Sequence, residues 1–244
     1  MRILAFSKRC AKEILRDPIN LFFGLGFPLI LLFLLSAIQA NVPIDLFAIE
    51  RLTPGITVFG LSFFALFAAS LLAKDRESAF LQRLYTTPMR AHEFILGYML
   101  PLIPLALGQS LICYLMATVL GLPFKVNMIC AVLCNLPIAI FNISFGLLFG
   151  SILNSKQVGG ICGALLTNLS AWLSGVWFDL SLVGEGFEKI AHALPFVHAV
   201  ELGQSVLNGN FTEFLPHLLP VVFYMLAISV GAVWFFYSIK NCRD

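Results

Sequence analysis

The chain has 244 residues, of which 59% are hydrophobic and 11% charged, with a mean hydropathy of +0.93 and a formal net charge of +2. A soluble domain is about 45–50% apolar and about 25% charged, so this composition excludes an ordinary soluble protein and indicates an all-α, polytopic integral membrane chain. The small net charge gives no ground for a nucleic-acid partner, because in a membrane chain the placement of charges matters more than their sum.

Residues 1–18 carry Arg2, Lys8, Arg9, Lys12 and Arg16. Lys8, Lys12 and Arg16 share one helical face, and Ile3, Phe6, Cys10 and Ile14 share another. This is the pattern of a basic amphipathic helix lying in the membrane interface against anionic lipids; a solvated basic tail would not need the apolar stripe. Pro18 marks the turn into the bilayer. The first apolar run is longer than a signal-peptide core and lacks a clean small-x-small site, so a cleaved leader is not expected.

Spans of about 20 apolar residues, enough to cross a hydrocarbon core of about 30 Å, are predicted at 19–39, 53–73, 94–120, 127–153, 158–177 and 215–238. Tight hairpins at 121–126 and 154–157 join the third span to the fourth and the fourth to the fifth. Gly146 and Gly150, and again Gly159 and Gly163, are four apart. Such pairs let helices approach closely in lipid, and internal packing is their expected use. With six spans, twelve Lys and Arg residues fall on one side and three (Arg51, Lys125, Lys189) on the other. The positive-inside rule then puts both termini in the cytoplasm.

Between the second and third spans lies Lys74–Glu93, a charged stretch with a helical pattern. Asp75 is suited to cap a short helix, Phe80, Leu81, Leu84 and Tyr85 share one face, and Pro88 ends it. The segment reads either as a docking helix for a second protein or as a loop helix resting in the headgroups. The segment 178–214, before the last span, predicts two short helices. The first carries Phe187, Ile190, Ala191 and Leu194 on one face and breaks at Pro195. The second runs from about Phe196 to Leu207 and stops at Asn208-Gly209. Together they suggest a re-entrant dip into the outer leaflet.

The chemistry the chain lacks is as informative. No Asp, Glu, Lys, Arg or His lies well inside a predicted span, which disfavours proton coupling and charged filters. No P-loop motif occurs, so the chain itself is not expected to bind ATP. The six cysteines show no C-x-x-C pair; Cys130 and Cys134 share a face without a histidine and read as small apolar core residues rather than a metal site. Ser144 has no histidine at matching depth, so no catalytic residue is expected; Ser144 and Asn142 read as interhelical hydrogen-bonding groups. Anything the protein moves must take its energy from elsewhere, and the stretch after the second span is the feature suited to receive it.

That order of elements resembles the membrane subunits of type-2 ABC exporters, the class that includes drug-efflux permeases, over essentially the whole chain. The sharpest match is Asp75–Pro88, DRESAFLQRLYTTP, with its charged start, hydrophobic pair, Arg-Leu and Thr-Pro end; Ala79 stands where glycine is frequent. Leu52-Thr-Pro-Gly-Ile56 is similar to the family's Pro-Gly start of the second span. Leu194-Pro-Phe-Val-His-Ala199 is similar to its outer helical segment, with Leu194 where Asn is usual. The resemblance implies a permease paired with a separate ABC ATP-binding subunit that carries ATP and magnesium, while this chain binds no cofactor. Asp75–Tyr85 would be the cytoplasmic coupling helix. Within it Arg76, Glu77 and Arg83 would make polar contacts, and Phe80, Leu81 and Leu84 would anchor it. A second permease chain, identical or different, would complete the pathway, with Phe59, Phe63, Phe67, Asn168 and Trp172 as pathway candidates; lipid contact or core packing is the plainer use of those aromatics. The implied activity is export of a hydrophobic or amphipathic cargo (a drug, a lipid-linked molecule or a peptide) across a bacterial inner membrane. A non-transporting immunity protein or membrane scaffold is the alternative with the same hydropathy.

Overall fold

The computed structural model describes residues 2–42, 47–78, 89–210 and 212–241, and these residues contain helices and turns but no strand. The amphipathic N-terminal segment forms α1 (Arg2–Leu15). Asp17 then caps the next helix: its carboxylate accepts from the Asn20 backbone N–H at 3.2 Å, and Pro18 takes the first-turn position where its missing N–H costs nothing. That helix, α2 (Pro18–Gln39), includes a π-helical stretch at Phe22–Gly26. It is followed by α3 (Ile49–Glu77), α4 (Ala91–Val119) and α5 (Asn127–Ile152), the last interrupted at Asn135 before Pro137. Helix α6 covers 155–173 in three segments, of which Gly159–Leu165 is π-helical. The short helices α7 (Glu185–Ala193) and α8 (Pro195–Asn208) precede α9 (Phe214–Asn241).

Among the described residues, five helices are long and apolar enough to cross a membrane: α2, α3, α4, α5 and Phe214–Ser238 of α9. The predicted span at 158–177 differs. Its helix ends at Leu173, four residues early, and residues 174–178 form turns. Thr167, Asn168 and Ser170, together with two adjacent glycines, dilute its apolar character. The other predicted spans agree with observed helices to within about one turn.

Helix α3 is the post around which the bundle is built. It is apolar nearly all round, as a helix buried on every side must be, and Leu52–Ala65 are all buried. Its most extensive packing is against α5. There, a Cβ at Gly146 would come 2.1 Å from the Ala65 carbonyl oxygen, and one at Gly150 would come 2.7 Å from that of Ala69. The pair therefore serves internal packing, as expected: only glycine permits this backbone approach. Gly159 faces open space, so the second pair does not repeat the device. Helices α2 and α9 lie at the periphery and leave most of their surface uncovered.

Interhelical hydrogen bonding follows expectation at Ser144, whose hydroxyl lies 2.8 Å from that of Ser229 on α9. Asn142 differs, because its amide donates to the Ile138 carbonyl of its own helix. Cys134 is half-buried, but Cys130 is exposed and not a core residue, since it lies on the outward face of α5.

The predicted break at Pro195 and the stop at Asn208-Gly209 are both present; Gly209 has φ +73°, the left-handed conformation that closes a helix. Helices α7 and α8 meet at Leu194, whose backbone is extended. The Tyr224 hydroxyl donates to the Ala193 carbonyl at this junction, 2.7 Å away. Tyr224 is ten residues into α9, so the contact ties the junction to the body of that helix. Helix α8 then packs against α9, α5 and α3.

Candidate functional site

The last turn of α3 is where four other elements meet. Asp75 does not cap a new helix, as its sequence position suggests. The α3 helix continues through it to Glu77, and Asp75 is 2% exposed. Burying a carboxylate is costly unless it is paired and hydrogen-bonded, and here it is both. The two Arg9 guanidinium nitrogens bind its two oxygens, with Nη2–Oδ1 at 2.6 Å and Nη1 on Oδ2. The Tyr98 hydroxyl on α4 donates to Oδ2 at 2.8 Å. The fork-on-carboxylate geometry is the strong form of this bond.

The pairing explains why α1 lies where it does. Its apolar stripe of Phe6, Cys10 and Ile14 is buried, chiefly against α4, and Phe6 meets the Tyr98 ring edge-on at a centroid distance of 4.9 Å. Lys8, Lys12 and Arg16 stay exposed on the opposite face. Arg9 sits between the two faces and reaches Asp75, with Glu13 one turn on at 2.8 Å. The hydrogen bond to Asp75 raises the Arg9 pKa, so the cation is fixed. Burial pushes the Cys10 thiol up to about 12, which makes it unreactive, and burial also raises the Glu13 carboxyl. Lys74 adds an ion pair with Asp17 at 3.5 Å.

The next two residues are tied to the other side of the bundle. Arg76 donates to the carbonyls of Gly150 and Leu153, at 3.0 and 3.1 Å, which are among the orphan acceptors at the end of α5. Glu77 accepts from the backbone N–H and the hydroxyl of Ser155, both at 2.7 Å, at the start of α6. Asp75 is therefore too buried for an external partner, and Arg76 and Glu77 have internal ones. On the far side of the intervening segment, Met89 is buried and the Arg90 N–H donates to Glu93 at 2.7 Å, opening α4. Phe80, Leu81, Arg83 and Leu84 lie outside the described residues.

The pathway candidates divide into two groups. Phe59, Phe63 and Phe67 are buried. Phe59 and Phe63 pack against Phe27 of α2, Phe63 also stacks on Phe23 at 5.8 Å, and Phe59 meets Trp177 at 6.2 Å. Asn168 and Trp172 lie instead on an exposed face of α6, with Leu165 and Leu169. The structure does not bring the two groups to one surface. Sequence reasoning missed Arg9 and Tyr98. Arg9 counted only as one charge in a basic helix, and its place between the two faces of α1 was the available signal. Tyr98 gave none beyond a phenol among apolar residues.

A family model described as ABC-2 type transporter matches residues 1–208. No curated protein and no solved structure gives a match.

Proposed function

Because the chain belongs to the ABC-2 type transporter family and is a multi-pass permease component of an ABC transporter, we propose that it couples ATP hydrolysis on a separate subunit to export of a hydrophobic or amphipathic cargo. The observation that carries this reading is the knotting of the end of α3, through Asp75, Arg76 and Glu77, to α1, α4, α5 and α6. The 79–88 segment leaves from that knot and returns at the buried Met89. A partner pushing on this segment therefore pushes on the central helix and four neighbours together.

In this mechanism the ATP-binding subunit holds ATP and magnesium and grips the 79–88 segment. Phe80, Leu81 and Leu84 supply apolar anchors and Arg83 a polar contact. Asp75, Arg76 and Glu77 are positioning residues that transmit the displacement. ATP shifts the equilibrium only through its different affinity for the two states of the ATP-binding pair, so closure of that pair must be what tilts the helices. A second permease chain, identical or different, meets the open α6 face of Asn168 and Trp172 and completes the pathway; Phe59, Phe63 and Phe67 form the apolar wall behind α2. The scarcity of charge along these helices supports an apolar cargo. With helix α6 as a sixth span, both termini face the cytoplasm of a bacterial cell.

The test is co-expression with a candidate ABC ATP-binding subunit. Wild-type permease should co-purify with it and raise its ATP hydrolysis, and Leu81→Asp and Arg83→Glu should lose both while eluting as folded protein. A permease that recruits no such subunit, with variants that behave as wild type, sinks the coupling role and favours a non-transporting scaffold or immunity protein.

A further inference from the structure

At the end of the bundle remote from Asp75, helices α7, α8 and α9 bring three of the four histidines together with Glu201. His198 and Glu201 lie one turn apart on α8, and His217 projects from the first turn of α9. The His198 and His217 Nδ1 atoms are 3.2 Å apart. Glu201 Oε2 is 3.1 Å from the His217 Nδ1 and 3.8 Å from the His198 Nδ1. These three side chains are 15–32% exposed.

His198 Nε2 lies 2.8 Å from the His192 carbonyl oxygen. A carbonyl only accepts, so Nε2 carries the proton and the neutral ring presents a bare lone pair at Nδ1. The His217 Nδ1 then has at most one proton to offer two acceptors, and Glu201 Oε2 makes no hydrogen bond among the described residues. Three potential ligand atoms, His198 Nδ1, His217 Nδ1 and Glu201 Oε2, thus lie within 3.8 Å of one another, with Glu201 Oε2 left without a hydrogen bond among the described residues. Their separations of 3.1–3.8 Å bracket the edge, about 3.4 Å, of a tetrahedron with metal–ligand bonds of about 2.0–2.1 Å. The His198–carbonyl bond is the outer-shell contact that orients a ligating imidazole. His192 places a ligand atom within 4.8 Å of those of His198 and Glu201. His192 and Glu201 also line a cavity of about 590 Å³ bounded by Arg51, Trp177 and Asp179.

We propose that His198, His217 and Glu201 form a binding site for a divalent transition metal of the zinc class, with the fourth position taken by His192 or water, and that the metal fastens α8 to the start of α9. Two imidazoles and a carboxylate suit zinc over magnesium or calcium. The clip ties the first half of α8 to the first turn of α9.

The test uses the full chain purified without a histidine tag, stripped with chelator, and titrated with Zn²⁺ against a chromophoric competitor. One equivalent should bind per chain. His198→Ala, His217→Ala and the milder Glu201→Gln should each weaken binding at least tenfold, while His92→Ala should not. The zinc X-ray absorption spectrum of the wild type, which needs no variant to fold, should show a nitrogen and oxygen shell without sulfur. No stoichiometric uptake, uptake indifferent to all three substitutions, or a sulfur shell drawn from the cysteines would each overturn the proposal.

Discussion

The two ends of the bundle both gather ionisable side chains, and they do so in opposite ways. At the end of α3, the Asp75 carboxylate has three donors for two oxygens, from Arg9 and Tyr98. Where α8 meets the first turn of α9, Glu201 Oε2 makes no hydrogen bond among the described residues, and it lies 3.1 Å from the His217 Nδ1 and 3.8 Å from the His198 Nδ1. A satisfied network is rigid, and removing any member leaves a buried group exposed to the full desolvation penalty. An unsatisfied one has room for a cation. On the proposed reading, the first end holds and transmits, and the second receives a metal.

The largest effect expected is at the finished end. Arg9→Ala leaves Asp75 buried with a single donor, and should cost about 3 kcal/mol, the low end for breaking a buried pair, because the Arg9 side chain is 34% exposed. Thermal unfolding in detergent reads this, and a variant as stable as wild type would break the comparison. At the unfinished end, Zn²⁺ at a hundredfold excess over its Kd should stabilise the wild type by about 2.7 kcal/mol and Glu201→Gln by no more than about 1.4 kcal/mol; equal stabilisation of both would erase the contrast. Tyr98→Phe removes one neutral donor to a carboxylate and should cost about 1.5 kcal/mol. The smallest effect is at Glu13, whose folded pKa burial raises. A raised folded pKa favours the fold most below the unfolded value, and that advantage fades as pH rises through the folded one. Glu13→Gln should therefore gain slightly on the wild type as pH increases from acid to neutral; a gain in the opposite direction contradicts the assignment.

Much of the fold was legible because its signals are local. Run length placed five of the six predicted spans on long helices, Pro195 split the outer segment, Asn208-Gly209 stopped α8, and the apolar stripe of α1 named the face it buries. The site was legible only in part. A charged residue following an apolar run reads as the start of something new, and nothing local reveals that Asp75 is buried by Arg9, sixty-six positions earlier in the chain. The phenylalanines of α3 were visible as a series, but Phe23 and Phe27 of α2, which help cover them, could not be matched to them by spacing. The histidine cluster was half visible. His198 and Glu201 stand one turn apart on a predictable helix, whereas His217 arrives only through the packing of α9.

In the proposed coupling role, the Asp75 network anchors the end of α3, from which the chain runs to the segment gripped by an ATP-binding subunit. The most direct measurement is the affinity of that subunit for the permease in lipid nanodiscs, comparing wild type, Leu81→Asp and Arg9→Ala at a temperature where all three remain folded. The account predicts tight binding to the wild type, none to Leu81→Asp, and at least tenfold weaker binding to Arg9→Ala, although Arg9 lies outside the gripped segment. Equal affinity for wild type and Arg9→Ala would contradict it, since the network would then serve stability alone.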